Sequence, residues 1–325
     1  MSDPLSGASC KQPAAVANLK RQLASNQHSL QLPYPETVNL PFNRQALPDG
    51  FVLHPNPQPA SDTDGIWILL QGATVLMREI NGELTLPEGP CPAWLSLKHT
   101  PLSFATLRGQ PVRAASVPSD LQIPAELVAE PFNAFRERIT PELMTVAGIG
   151  KQLLHWQRMS RFCSYCGQPL EQLLESWGKK CVGCNNEHFP HIHPCAIVLI
   201  RRDDQLLLIH KPEWPVGRYS LVAGFLDVGE SLEECAIREA MEETGVTIKN
   251  LRYVASQAWP FPSQQMVGFV ADYAYGDIKV DGKEIDDARW FTIGSLPPLP
   301  ASRSIARFLI DSCLLCKQKR HDVIN

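Results

Sequence analysis

From residue 66 onward, runs of apolar residues alternate with short polar turns. Residues 66–70, 74–80 and 83–86 read as strands, with Asn81-Gly82 as a hairpin turn, and residues 111–117 read as a further strand. Residues 141–161 switch to a helical period. Strand patterns return at 195–201 and 205–210 and near 220–223. A helix is predicted over 232–244, with strands near 251–257 and 266–275 and a C-terminal helix over 301–317. Ahead of all this, residues 1–30 show no periodicity and read as a flexible tail in which 14–23 can form a short helix. Residues 31–60, rich in Pro, Asn and Gly, read mainly as loop. The pattern therefore predicts two α+β units joined by a small module. No repeat of fixed period is present, but two units of similar make-up are compatible with duplication.

A length of 325 residues suits two or three domains. The formal charge of −4 gives no bulk attraction for nucleic acid, although a local basic groove is compatible with it. Residues 1–30 hold no continuous apolar stretch of the kind a secretory signal needs, and no run reaches the length of a membrane span. Four of the ten cysteines fall as Cys163-x2-Cys166 and Cys181-x2-Cys184, the spacing of two knuckles around one tetrahedral Zn²⁺. Four thiolates leave no open coordination position, so such a site is structural. Two redox pairs are the alternative. His188, His191 and His193 follow closely and could compete as ligands, but read as linker residues. Cys313-x2-Cys316 is a lone pair one helical turn apart and reads as two apolar positions. The remaining cysteines show no disulfide framework, which points to the cytoplasm.

The chemistry concentrates in residues 224–246, GFLDVGESLEECAIREAMEETGV. Gly224, Glu230, Arg238, Glu239, Glu242, Glu243 and Gly245 form a fixed pattern. On a helix, Glu239, Glu242 and Glu243 stand at i, i+3 and i+4 and share a face. Like charges at that spacing repel, so the cluster gains from a cation, and hard carboxylate oxygens select Mg²⁺ or Mn²⁺. A metal would also bridge a diphosphate to this acidic face. Gly224 is expected to let the backbone turn and approach a ligand closely, Gly245 to end the helix in the left-handed conformation, and Arg238 to hold a carboxylate through two hydrogen bonds. A solvated acidic helix with a glycine cap is the plainer alternative.

This stretch resembles the Nudix hydrolase signature, with Ala240 smaller than usual in one aliphatic slot. The resemblance implies a mixed sheet sandwiched between helices and hydrolysis of nucleoside diphosphates linked to a further group. About ten residues later comes Ser256-Gln257-Ala258-Trp259-Pro260-Phe261-Pro262-Ser263-Gln264. Its prolines stiffen it, Trp259 and Phe261 offer flat faces, and Gln257, Ser263 and Gln264 offer polar groups for a ribose or base. The segment is similar to the SQPWPFPxS array of the NADH pyrophosphatase / NAD-capped RNA hydrolase branch of that family, departing at Ala258 and in the order Ser263-Gln264. A four-cysteine ribbon before the Nudix domain belongs to the same branch. The resemblance covers roughly residues 130–315.

The resemblance implies a division into a tail (1–30), an N-terminal α+β, Nudix-like domain (31–157), a zinc ribbon (158–190) and a catalytic Nudix domain (191–325). It implies metal ligation by Glu239, Glu243, the Ala223 carbonyl and a later acidic residue, for which Glu284 is preferred over Asp286 and Asp287. Glu242 is a ligand or a base, and Glu243 is the preferred acceptor of the attacking water's proton. Residues 257–264 and Ala306 would contact substrate, and Phe189 and Phe225 would sandwich a nicotinamide ring. The implied reaction splits NADH or NAD into NMN(H) and AMP and removes NAD caps from RNA, in a homodimer. Hydrolysis of ADP-ribose or dinucleoside polyphosphates, or a sensor that binds without cleaving, are the competing expectations.

Overall fold

The structure is a computed structural model that describes residues 40–58, 63–95, 101–132, 134, 137–280 and 282–324, with side chains to residue 314. The expected tail, the helix at 14–23, Cys10 and the Cys316 side chain lie outside what is described.

The first unit comprises β1 (Phe51–Gln58), β2 (Gly65–Gln71), β3 (Thr74–Ile80), β4 (Glu83–Thr85), β5 (Glu88–Gly89), β6 (Leu102–Leu107), β7 (Gln110–Ser116), β8 (Leu127–Pro131) and helix α1 (Pro141–Met159). The strands form one sheet in the order β1-β6-β7-β2-β3-β4, with β5 on β2 and β8 on β3. β1 corrects the loop expected over 31–60: its edge position accommodates Pro55 and Pro57, which a central strand would not. Helix α1 starts on Thr140, whose side chain accepts from Leu143 N, with Pro141 in the first turn. It buries Met144, Val146, Ala147 and Leu153 against Ile68 and Phe104 of the sheet.

The small module holds β9 (Leu170–Gln172), β10 (Lys179–Cys181) and β11 (Glu187–His188) as a three-stranded antiparallel sheet. The last unit runs β12 (His193–Arg202), β13 (Gln205–His210), β14 (Val222–Phe225), α2 (Leu232–Thr244), β15 (Thr247–Trp259), β16 (Gln264–Tyr275), β17 (Asp287–Thr292) and α3 (Ile305–Ile324). Its sheet order is β15-β16-β12-β13-β17, with β14 on β12 and β12 parallel to β16. The central strand β12 is buried on both faces. Ala196, Val198 and Ile200 meet Cys235, Ala236 and Ala240 of α2, while Ile197 and Leu199 meet Ile305, Leu309 and Ile310 of α3. This is the sheet between helices that the resemblance implies. The C-terminal helix begins at Ile305 rather than 301, after the turn that carries Ser304.

The two large sheets share one topology. β6-β7-β2-β3-β8 matches β15-β16-β12-β13-β17 in order and in every strand direction, and β5 pairs with β2 as β14 pairs with β12. The link between β5 and β6, residues 90–101, is too short for a helix as long as α2. Among the described residues the first unit repeats the sheet without the acidic helix, which accords with duplication.

One strand end joins the units. Asn43 donates from Nδ2 to Ser256 O (2.8 Å) and accepts from Ala258 N (2.8 Å). Gln257, wholly buried, donates to Pro41 O (2.9 Å) and Arg303 O (2.8 Å) and accepts from Ile305 N (2.8 Å). Phe42 packs edge-on against Trp259 and Phe261, and Lys151 donates to Pro260 O (3.1 Å). Gln257 is thus a structural tie. Both its amide donors are spent inside the protein, although it also lies on the wall of a cavity that Glu239 borders. Replacing Gln257 by Leu leaves three buried backbone groups unpaired and should cost about 2–4 kcal/mol, measured as a lower urea midpoint with unchanged slope.

Candidate active site

Helix α2 is set at both ends. Ser231 and Glu234 form a reciprocal capping box, and Gly245 closes the helix at φ 74°. Its three glutamates do not share one environment. Glu239 (8% exposed) and Glu243 (3%) are buried, whereas Glu242 points outward with its carboxylate 3.0 Å from Arg238 Nη1. Gly224 of β14 lies under Glu239: a Cβ there would stand 1.8 Å from Glu239 Oε1. This corrects the expected reason for that glycine, which leaves room for a carboxylate and does not provide a turn.

Arg238 organises the acidic face. Its guanidinium grips Glu230 with two hydrogen bonds (2.6 and 2.8 Å), reaches Glu239 Oε1 at 2.7 Å and donates to Phe225 O at 2.9 Å. These contacts hold the Glu230 carboxyl down at about 2. Burial raises the Glu239 carboxyl in spite of Arg238. Burial pushes Glu243 up to about 7, against the pull of Lys211, whose Nζ lies 3.1 Å from Glu243 Oε1. Beyond the Lys211 ammonium and the nearby Ala223 backbone, the Glu243 oxygens make no well-aligned hydrogen bond. Buried oxygens of this kind, beside a second buried carboxylate, fit a hard divalent cation.

Several of these groups border a cavity of about 980 Å³, with Glu243 off its lining. Glu239, Glu284, Arg238 and Lys211 line its charged side, and Trp259, Phe261 and Gln264 another wall. Ala223, Gly224 and Phe225 of β14 also line it, as do Ser304 and Ala306 at the start of α3. The loop bearing Glu284 is fixed by buried Ile285, by Asp286 N donating to His210 O (3.2 Å) and by Asp286 Oδ1 2.6 Å from His210 Nδ1. Asp287 accepts from the Tyr219 hydroxyl and pairs with Arg289. Asp286 and Asp287 are therefore engaged elsewhere, and Glu284 is the acid of this loop that borders the cavity.

Side chains alternate along the β15–β16 hairpin, so the expected substrate segment divides. Trp259, Phe261 and Gln264 face this cavity. Ala258 and Ser263 face a second one, of about 640 Å³, between α1 and the ribbon. Ser263 Oγ there sits 3.1 Å from His193 Nδ1. Pro260 is buried near Gly148, and Pro262 is exposed. Ala258, one departure from the branch's array, leaves the catalytic wall unchanged, whereas the inverted Ser263-Gln264 order puts an amide on it. Phe225 (51% exposed) borders the cavity. Phe189 (50% exposed) does not; it rests against Gly178 of the ribbon. Of the two rings expected to sandwich a nicotinamide, only Phe225 lines this cavity within one chain.

The sulfurs of Cys163, Cys166, Cys181 and Cys184 all lie within 4.8 Å of one another. The short separations, 3.6 Å for Cys163–Cys184 and 3.3 Å for Cys166–Cys181, run between knuckles and not within them, which disfavours two redox pairs. A zinc tetrahedron with bonds of about 2.3 Å has edges of about 3.8 Å, so the cluster fits Zn²⁺. Gly183 N and Cys184 N donate to Cys181 Sγ (3.4 and 3.5 Å), as knuckle turns do. His188 Nε2 lies 3.3 Å from Cys163 Sγ, so this histidine supports the cluster and is more than a linker.

Comparison with known proteins matches three family models. The NUDIX domain matches residues 191–311, the NADH pyrophosphatase-like rudimentary NUDIX domain residues 64–156, and the NADH pyrophosphatase zinc ribbon domain residues 158–189. The NAD-capped RNA hydrolase NudC of Pseudomonas fluorescens (strain Pf-5) is 39% identical over 255 residues, covering 77% of this chain and 90% of that protein. The chain belongs to the NudC branch of the Nudix hydrolase family. The NAD-capped RNA hydrolase NudC of Pseudomonas putida (strain W619) is 48% identical over 170 residues, 52% of this chain and 62% of that one. A solved NUDIX hydrolase from Nitrosomonas europaea is 25% identical with TM-score 0.41, covering 50% of this chain and 93% of that one.

Within this Nudix hydrolase, sequence patterns missed Lys211 and Asn43. Neither sits in a motif: Lys211 is the residue after β13, and Asn43 lies in a segment that reads as loop. Two outcomes test the geometry. Gly224→Ala keeps an allowed backbone but pushes Glu239 aside, so a normally folded protein by circular dichroism should lose about 100-fold in hydrolytic rate. Cys181→Ser should lower zinc content from about one ion per chain to near none and reduce thermal stability, read by elemental analysis and calorimetry.

Proposed function

We propose that this chain hydrolyses the diphosphate bond of NADH and NAD to NMN(H) and AMP, and removes NAD caps from RNA 5′ ends by cutting the same bond. One observation carries the proposal. Buried Glu239, with buried Glu243 one turn further along the same helix, lies at one side of a cavity whose other wall is the Trp259–Phe261 segment. The names of the NudC relatives, NAD-capped RNA hydrolases, support it.

Glu239, Glu243, Glu284 and the Ala223 carbonyl would hold Mg²⁺ or Mn²⁺, with Glu242 at the rim. When bound, such ions neutralise charge on the diphosphate and acidify a bound water. Glu243 is the preferred acceptor of the water's proton. The water oxygen then bonds to phosphorus as the bond to the bridging oxygen breaks. Arg238 keeps Glu239 and the β14 carbonyls in place. Trp259 and Phe261 offer faces to a ring, Phe225 another, and Ala306 a backbone N–H in the first turn of α3, where anions are favoured.

The chain works as a homodimer in this proposal, with Phe189 of a second copy meeting Phe225. Phe162, Tyr165, Val182 and Ile192, exposed like Phe189, belong to the ribbon or its borders and suit such an interface. We take 31–157, 158–190 and 191–325 as its working domains and the cytoplasm as its compartment. Among the described residues no helix is long and apolar enough to cross a membrane.

Products from NADH, NAD⁺, ADP-ribose and NAD-capped RNA, each with Mg²⁺ or Mn²⁺, test the substrate; the proposal expects NMN(H) and AMP from NADH and a 5′-monophosphate from capped RNA. Cleavage of ADP-ribose alone would overturn it. Glu243→Gln should reduce turnover about 1,000-fold or more. Because the folded-state value of Glu243 lies above its unfolded one, its ionisation destabilises the metal-free protein as pH rises from about 4.5 to about 7. At pH 8 without metal, Glu243→Gln should therefore melt higher than the parent, by about 1 kcal/mol.

A further inference from the structure

Glu243 is the most buried acid of the site, and the ammonium of Lys211, 3.1 Å from its Oε1, is the cation that faces it. Lys211 is one-fifth exposed and also borders the cavity. Its backbone is anchored: the preceding residue, His210, is tied to Asp286 and Pro215 O, and the Lys211 carbonyl accepts from Trp214 N at 2.9 Å. The side chain, a flexible four-carbon stem with a point charge, can still swing.

An ammonium cannot ligate a metal, having no lone pair, and a divalent cation at Glu243 would repel it at close range. Glu239 is already paired with Arg238. The anion that would enter this cavity with the metal is the diphosphate of the substrate.

We infer that Lys211 is a displaceable counter-cation: it neutralises Glu243 while metal is absent, yields that place to the incoming divalent ion, and transfers to the phosphate oxygens of the bound diphosphate. The inference rests on the metal site and substrate class proposed above. It separates from them because a competitor for the metal and a fixed structural ion pair predict opposite effects of removing the lysine. Loss of a competitor tightens metal binding, whereas loss of a structural pair leaves it unchanged or weakens it.

The test is Mn²⁺ binding to the full chain, followed by the electron paramagnetic resonance of free Mn²⁺ at pH 8.5, for the parent, Lys211→Met, Lys211→Arg and Glu243→Gln. Lys211→Met should bind Mn²⁺ about five-fold more tightly, with Lys211→Arg like the parent. At saturating Mn²⁺, kcat/KM of Lys211→Met for NADH should still fall about ten-fold. Tighter binding with unchanged kcat/KM overturns the transfer to phosphate. Binding no tighter than the parent, while Glu243→Gln loses Mn²⁺, overturns the inference and leaves the proposed function standing. A parent that binds no Mn²⁺, or a Glu243→Gln that binds as the parent does, overturns both.

Discussion

Two carboxylates buried side by side on one helix set the terms for the rest of this structure. Glu239 and Glu243 have lost much of their water, a cost that grows with burial, and their charges repel. The fold meets that cost with two cations. Arg238 spans Glu230, Glu239 and the carbonyl of Phe225, so the loop before α2, the helix and strand β14 are locked as one piece. Lys211, from the far end of β13, faces Glu243. Gly224 matters for the same reason: any side chain there would occupy the space of the Glu239 carboxylate. The compensation is incomplete, since Lys211 at 3.1 Å leaves the Glu243 carboxyl raised by burial, and a divalent ion would add the missing positive charge.

The aromatic wall opposite the acids depends on a different set of contacts. The hairpin end that carries Trp259 and Phe261 gets its rigidity largely from outside its own sheet. Asn43, Phe42 and Lys151 of the first unit hold it, and Gln257 ties it to the start of α3. The first unit has the sheet topology of the catalytic one but no acidic helix, and its α1 packs where it can support this hairpin. A sheet of matching topology thus braces the aromatic wall of the cavity. The family's description of that unit as rudimentary fits this division of labour.

Much of the fold was legible in the sequence because local rules govern it. The bounds of β3, β13 and α2 follow from periodicity and from caps at Ser231 and Gly245, which act within a few residues of the chain. The zinc cluster was legible for the same reason, since knuckle geometry is written into x2 spacings. Strand β1 was not, because the prolines that signal a loop are also tolerated at a sheet edge.

The sequence by itself determined the reaction class, the family and the helix that carries the acids, since all three rest on spacing along one element. Tertiary structure decided which acids are buried and which is exposed, that Gln257 is a tie between segments, and that Ala258 and Ser263 line a second cavity. It also brought Lys211 to Glu243 and left Phe189 off the lining of the cavity that Phe225 borders. The physical reason is common to all of these. Burial and pairing depend on segments far apart in the chain, such as Asn43 beside Ser256 or Lys211 beside Glu243, and no local pattern encodes which of them will meet.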